Sequence, residues 1–466
     1  MLAEIHSGAC AGIEAFGVSI EVNAGHGEPR TVVVGLPDTA VRESVDRVWT
    51  ALLNSGFETP KGRTTINLAP ANRRKEGALF DLPIAVGIVA AMEGVRREGL
   101  DRICVVGELA LSGAVRPVRG VLPLALMARA AGFTAMMVPA ENAEEAAVVQ
   151  GLKVFALRTL RTAVDFLNGL VKLEPFGIDV GQRFAAEGVY ALDFAEVRGQ
   201  ERAKRALEVS VSGGHNLLLV GSPGSGKSML AKRVPSILPP LSLEEALEVT
   251  QVHSVSGSLR AHQALVARRP FEAPHHTVSD AGLLGGGSNP LPGSVSLAHH
   301  GVLFLDELPE FQRHVLEVLR QPLEEGWVRI ARAGVQVEYP CRFMLVAAMN
   351  PCPCGFLHDP VKACRCTPRQ IERYRGKISG PLLDRIDLQL EVPPVPFETL
   401  RGLEAGERSA VIRARVVAAR ERQRVRFEGE AGCFVMRRCR VGCCSGCAGW
   451  RRRRRACCGR RCRSCS

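Results

Sequence analysis

Gly221-Ser222-Pro223-Gly224-Ser225-Gly226-Lys227-Ser228 is the stretch that decides the fold of this chain. It sets glycines, a lysine and a serine at the spacing of a phosphate-binding loop. His215–Val220 (HNLLLV) before it reads as a short buried strand, and Met229–Val234 after it continues as a helix. At such a strand-to-helix turn the backbone N–H groups face phosphates, Lys227 reaches the β and γ phosphates of a nucleoside triphosphate, and Ser228 ligates Mg²⁺. A plain glycine-rich turn would need neither the flanking strand nor the helix.

The other half of such a site lies downstream. Val302-Leu-Phe-Leu-Asp306-Glu307 is an apolar run ending in two adjacent carboxylates, the pattern of a buried parallel strand delivering acid to its C-terminal edge. Asp306 is expected to hold Mg²⁺ through its water shell, and Glu307 to polarise the water that attacks the γ-phosphate. Phe343–Met349 predicts a third buried strand, ending at Asn350, whose amide is suited to orient the same water. Together these runs predict an α/β fold with a parallel-sheet P-loop core.

Five segments carry a family resemblance: Asp193-Phe-Ala-Glu-Val-Arg-Gly199-Gln200, the phosphate loop, the LDE strand, Asn350, and Ser379-Gly-Pro-Leu-Leu-Asp-Arg385-Ile-Asp-Leu. Together they resemble the AAA+ ATPases of the magnesium-chelatase-like branch. Phe271-Glu-Ala-Pro-His275-His276 through Gly285-Gly286-Gly287, followed by Pro292 to His299-His300-Gly, narrows the resemblance to the ComM/YifB group, from near residue 1 to about residue 427. The resemblance implies a homo-hexameric ring that hydrolyses ATP with Mg²⁺ between subunits. In ComM-type members it implies a motor acting on single-stranded or branched DNA, driving branch migration in homologous recombination during natural transformation. A metal-chelatase-type motor that remodels a protein partner is the alternative, and an inactive truncated product the second.

Arg385 takes the place of an arginine finger aimed at a neighbouring subunit's γ-phosphate, worth about 10³–10⁵ in rate. A surface arginine paired with Asp384 or Asp387 is the plainer reading. Trp327–Glu338 alternates and is broken by a glycine turn, which predicts a hairpin. In this branch such a hairpin, like the Gly285–Gly287 insert, points into the pore, where Arg329 and Arg332 would track a phosphate backbone. A solvated hairpin face is the competing expectation.

Two sets of residues raise metal chemistry. His275-His276 and His299-His300 put four imidazoles into one core, but no carboxylate pattern in the sequence completes a site around them. Cys352-Pro-Cys354 and Cys364-Arg-Cys366 follow Asn350 directly and offer four thiolates for structural Zn²⁺. Reduced loop thiols or a redox disulfide are the other readings.

Residues 1–170 predict a separate α/β domain, with strands at Arg30–Val34, Thr64–Leu68, Ile103–Leu109 and Ala135–Val138 and a helix over Phe80–Met92. Lys75–Asp81, Val106–Gly113, Arg116–Gly120 and Val138–Asn142 resemble the proteolytic domain of Lon, a Lon/S5-like fold. Ala78-Leu79-Phe80 and Val121-Leu122-Pro123 stand where the nucleophilic serine and the lysine are expected, so the resemblance implies a noncatalytic scaffold or DNA-contacting collar. Residues 171–190 read as a linker, 191–398 as the AAA+ core, and 399–430 as the start of a helical lid that continues through Ser409–Phe427.

Residues 431–466 carry eleven arginines, no lysine and no acid, so they supply +11 of the formal +12 and leave 49 basic against 48 acidic residues before them. The body is near neutral, and nucleic-acid binding by it must rest on local patches. The same tail holds nine of the sixteen cysteines. Among a basic arm, a cysteine-rich metal module and a GC-rich gene read out of frame, this composition matches the last, with the frame change near residue 430. The lid and its sensor arginine would then be incomplete. The N-terminus has no basic flank and no long apolar stretch, and no eighteen-residue apolar run follows, so a soluble cytoplasmic protein without a membrane partner is expected.

Overall fold

The structure is a computed structural model that describes residues 2–96, 98–187, 190–260, 262–287, 290–332, 335–360, 362–395 and 405–427. The expectations placed on 431–466 lie outside the described residues.

The phosphate-loop half is built on a parallel five-stranded sheet in the order Phe271–Glu272, Val302–Leu305, Met344–Met349, Leu217–Val220, Leu388–Glu391. Val302–Leu305 and Met344–Met349 are buried at every residue, as strands covered on both faces must be. The period-two alternation of a strand sorts their side chains into two cores. Leu217, Leu219, Val302, Phe304, Met344, Val346 and Ala348 join one cluster. Leu218, Leu303, Leu305, Leu345, Ala347 and Met349 join the opposite one. The first cluster is covered by the helices Glu201–Gly213, Lys227–Ile237 and Ser409–Arg426.

The last of these helices, expected from the sequence, buries only Ser409, Ile412 and Val416. It is pinned by polar contacts instead: Ser409 Oγ accepts from the Phe194 amide at 2.8 Å, and Arg415 Nε donates to Glu208 at 2.7 Å. Arg415 holds the Glu208 carboxyl below the usual carboxylate range.

The N-terminal half is a seven-stranded mixed sheet in the order Arg30–Val34, Arg63–Ala69, Glu14–Ala24, Leu2–Ala11, Ile103–Val105, Ala135–Pro139, Lys153–Leu157. The helix Asp81–Ala91 is buried at all its residues and lies across the sheet. Gly87 permits that approach, because a Cβ there would meet Val22 Cγ2 at 2.8 Å. The expected strand over Ile103–Leu109 is two short strands: the Val106 amide still continues the ladder onto Met137 O, and the Gly107 amide then turns away from it to bond Leu79 O.

The described residues of the segment 171–190 are held against the first half. The Phe176 amide donates to Val154 O at 2.7 Å, Val180–Glu187 is helical, and Ile178, Val180 and Phe184 pack against the first half's core. The two halves share buried contacts as well. Leu265 and Ala264 sit in one cluster with Val121 and Leu122, and buried Glu145 accepts from the Leu122 amide at 2.8 Å and from the Ser254 hydroxyl of the helix Leu243–Ser256.

Candidate nucleotide site

Because the central strands are parallel, their C-terminal ends meet at one edge, where ligands of open α/β sheets bind. Val220 pairs with Met349 and Leu305 with Ala347, so Gly221, Asp306 and Asn350 emerge side by side. Lys227 opens its helix and is buried. Its Nζ donates to Gly221 O at 2.7 Å, Ser222 O at 3.0 Å and Asn350 Oδ1 at 3.3 Å. Burial lowers the Lys227 pKa, while the nearby Asp306 charge acts in the opposite sense. Ser228 Oγ donates to Asp306 Oδ2 at 2.6 Å.

The loop fits a triphosphate. Gly224 and Gly226 have φ of +79° and +90°, the left-handed region that a Cβ disfavours, and the Cβ direction of Gly224 opens on empty space. Ser222 Oγ and Ser225 Oγ are buried with no hydrogen-bond partner among the described residues. Buried polar atoms without partners call for a polar ligand. Gly221 to Ser228 would hold the phosphates, and Ser228 with Asp306 would hold Mg²⁺, which when bound supplies charge neutralisation between phosphate oxygens.

Glu307 sits at φ +52°, exposed, two residues past the strand, with its Oε2 3.5 Å from His276 Nδ1. That imidazole was not given a role from sequence, because thirty residues separate it from Glu307 and only the fold brings them together. Gln200 is the other addition. Its Nε2 donates to Ser225 O at 3.3 Å and Pro393 O at 2.7 Å, bracing the loop from behind.

Arg385 lies at the opposite edge of the sheet. It precedes Leu388–Glu391, and its carbonyl accepts from Asn216 Nδ2 at 2.7 Å, just before the phosphate-loop strand begins. A four-residue strand spans about 13 Å, so Arg385 cannot serve the Lys227 site of its own chain. Its guanidinium pairs with Glu324. Asp387 Oδ2 accepts from the Asn216 amide at 2.8 Å.

The hairpin is present as Trp327–Arg332 against Val335–Pro340. Arg329 Nε donates to Glu338 across the ladder at 2.7 Å, so a carboxylate on the same exposed face compensates its charge. Arg332 lies at the ladder's end, opposite Val335.

The paired histidines separate into two sites, and one corrects the sequence expectation: a carboxylate does complete it. Glu248 Oε2 lies 3.0 Å from His299 Nε2 and 2.8 Å from His300 Nε2. The Arg342 amide donates to His299 Nδ1 at 2.9 Å, which fixes the proton on Nε2 and turns His299 into a donor to Glu248 rather than a metal ligand. Burial lowers the His299 pKa to about 4. His299 and His300 hold the Glu248 carboxyl far below the usual range.

Cys352, Cys354, Cys364 and Cys366 come together with all Sγ atoms within 4.8 Å, and none is in a disulfide.

Loop, paired acidic strand, polar strand end and parallel sheet define a AAA+ P-loop core. The chain matches the family "Magnesium chelatase, subunit ChlI" over residues 193–400, and "Subunit ChlI of Mg-chelatase" over residues 20–142. YifB of Salmonella typhimurium is 46% identical over 424 residues, covering 91% of this chain and 82% of that protein. Competence protein ComM of Haemophilus influenzae is 45% identical over 426 residues, with the same coverage of each. Magnesium-chelatase subunit ChlI of Porphyra purpurea is 23% identical over 233 residues, 45% of this chain and 59% of that one. The chain therefore belongs to the ComM/YifB family of magnesium-chelatase-like AAA+ ATPases.

Proposed function

We propose that this chain is an ATP-driven DNA motor that works as a homo-hexameric ring and moves branched DNA during recombination. One observation carries the ring: the residues of the ATP site are split between opposite edges of one sheet. Lys227, Ser228, Asp306, Glu307 and Asn350 stand at one edge and Arg385 at the other. A second copy docked head to tail would bring its Arg385 to the first copy's γ-phosphate, and repeating that heterologous contact closes a ring. Within one chain, Lys227 binds the phosphates, Asn350 and Glu307 hold the attacking water, and Glu307 takes its proton. His276 beside Glu307 orients that carboxylate.

The DNA reading is supported by similarity to a competence protein over most of the chain. The ChlI similarity supports a second reading, a motor that remodels a protein partner. ATP turnover by the purified chain, alone and with single-stranded or forked DNA, separates them, with Glu307→Gln as the blank. DNA-stimulated turnover is expected. Turnover indifferent to DNA would sink the DNA reading and leave the protein-remodelling one. Among the described residues no helix is long and apolar enough to cross a membrane.

A further inference from the structure

We propose that Cys352, Cys354, Cys364 and Cys366 bind one zinc ion that braces the nucleotide site from beneath Asn350. The Sγ separations are 3.4 Å for Cys352–Cys354, 3.7 Å for Cys352–Cys364 and 3.6 Å for Cys354–Cys364. Four sulfurs at the usual Zn–S distance of about 2.3 Å form a tetrahedron with edges of about 3.8 Å. These three edges lie close to that value, and Cys366 Sγ is within 4.8 Å of the other three sulfurs, a set one tetrahedral ion can span. An iron–sulfur cluster would spread its cysteines farther apart.

Among the described residues of the segment, neither regular structure nor packing brings the four thiols together. Between Met349 and Pro368 the described residues form no helix or strand. Cys354, Cys364 and Cys366 are only half-buried, so apolar packing does not drive them together. The sulfurs also have the backbone donors that zinc thiolates use. The Cys366 amide donates to Cys364 Sγ at 3.4 Å, and the amides of Phe356 and Arg365 bond Cys354 Sγ. Lys362 and Arg365 in the same loop offset the excess negative charge of four thiolates on a divalent ion.

The position gives the ion a purpose. Cys352 is two residues after Asn350, whose side chain meets Lys227. Gly355 packs under the phosphate loop so closely that a Cβ would lie 2.6 Å from Pro223 Cδ. Arg375 of the following helix Pro368–Arg375 donates to Pro351 O at 3.3 Å. A tetrathiolate ion thus ties the strand end, the underside of the phosphate loop and the next helix into one unit.

The test is zinc content by elemental analysis of the full chain against two double variants, Cys364→Ser/Cys366→Ser in the loop and Cys443→Ser/Cys444→Ser in the tail. About one zinc per chain should be lost in the loop variant and retained in the tail variant. X-ray absorption on the unaltered chain should show four sulfurs at about 2.3 Å, which keeps the test valid if the loop variant folds poorly. A chain without zinc, a chain carrying iron in its place, or zinc lost only from the tail variant overturns the assignment. Chelation should also weaken binding of a fluorescent ATP analogue, and unchanged binding would overturn the bracing role.

Discussion

Asn216→Ala tests how the sheet positions Arg385. Asn216 is fully buried, and its side chain closes two hydrogen bonds at once: Oδ1 accepts from the Leu345 amide at 2.9 Å, and Nδ2 donates to Arg385 O at 2.7 Å. Alanine leaves both partners behind. The Leu345 amide lies in the core, and an orphaned buried donor costs about 1–3 kcal/mol. The Arg385 carbonyl is half-buried and partly regains water, so its loss is about 0.5–1.5 kcal/mol, giving roughly 2–4 kcal/mol in all. Urea unfolding should show that shift. Turnover should fall further than stability implies, because a guanidinium displaced by about 1 Å from a reacting phosphate can cost about 10²-fold. Nucleotide binding should hold, since no residue of the loop touches Asn216. A variant with wild-type turnover and a stability change under about 0.5 kcal/mol would refute the reasoning.

Glu307→Gln should keep ATP binding and lose about 10²–10⁴ in turnover, whereas Lys227→Ala should lose binding itself; equilibrium binding beside steady-state rates distinguishes the two. Gly355→Val forces a side chain toward Pro223 at a backbone φ of +84° and should weaken ATP-analogue binding severalfold, read by fluorescence titration. His299 has a folded pKa of about 4 against 6.5 for the free side chain, so it takes up a proton on unfolding between those values. Its contribution is complete above pH 6.5 and falls as pH drops toward 4, by on the order of 2–3 kcal/mol. The groups facing it, Glu248 and Glu245 from the Leu243–Ser256 helix, His300 beside it, and Arg342, belong to the same network, and the depressed Glu248 adds a further loss below its own ordinary range. His299→Asn should flatten the stability profile across that window in pH-dependent denaturation; an unchanged slope would exclude His299 as its source.

The phosphate loop and the Asp306-Glu307 strand were legible because their chemistry is written in contiguous residues. The strand boundaries followed from the same apolar runs, shifted by one or two residues at His215–Val220 and Phe343–Met349. What the sequence hid is contact between distant segments. Glu248 meets His299 across 51 positions, and no local pattern announces that meeting. The contact of Arg385 with Glu324 was not legible either, since 61 positions separate them. In the N-terminal half the first two strands, Leu2–Ala11 and Glu14–Ala24, were missed. Their small residues and glycines give weak strand signals, and it is the antiparallel register between them that makes them strands. The helix Thr39–Asn54 also went unread, although Asp38 caps it by accepting from the Val41 amide at 2.7 Å. The two C-x-C pairs were visible in the sequence, but only the fold shows that their four thiols converge.

In the proposed ring one chain's ATP site is completed by another chain's Arg385, and mixing two dead variants puts that to the test. Lys227→Ala supplies an intact Arg385 without a working loop, and Arg385→Ala supplies the reverse. Neither should turn over ATP alone. Mixed in equal amounts, random assembly places a good loop against a good arginine at about a quarter of heterologous interfaces, so turnover should return to about that fraction of the unaltered chain's rate. No recovery in a mixture that assembles, or full activity of Arg385→Ala by itself, would contradict the account.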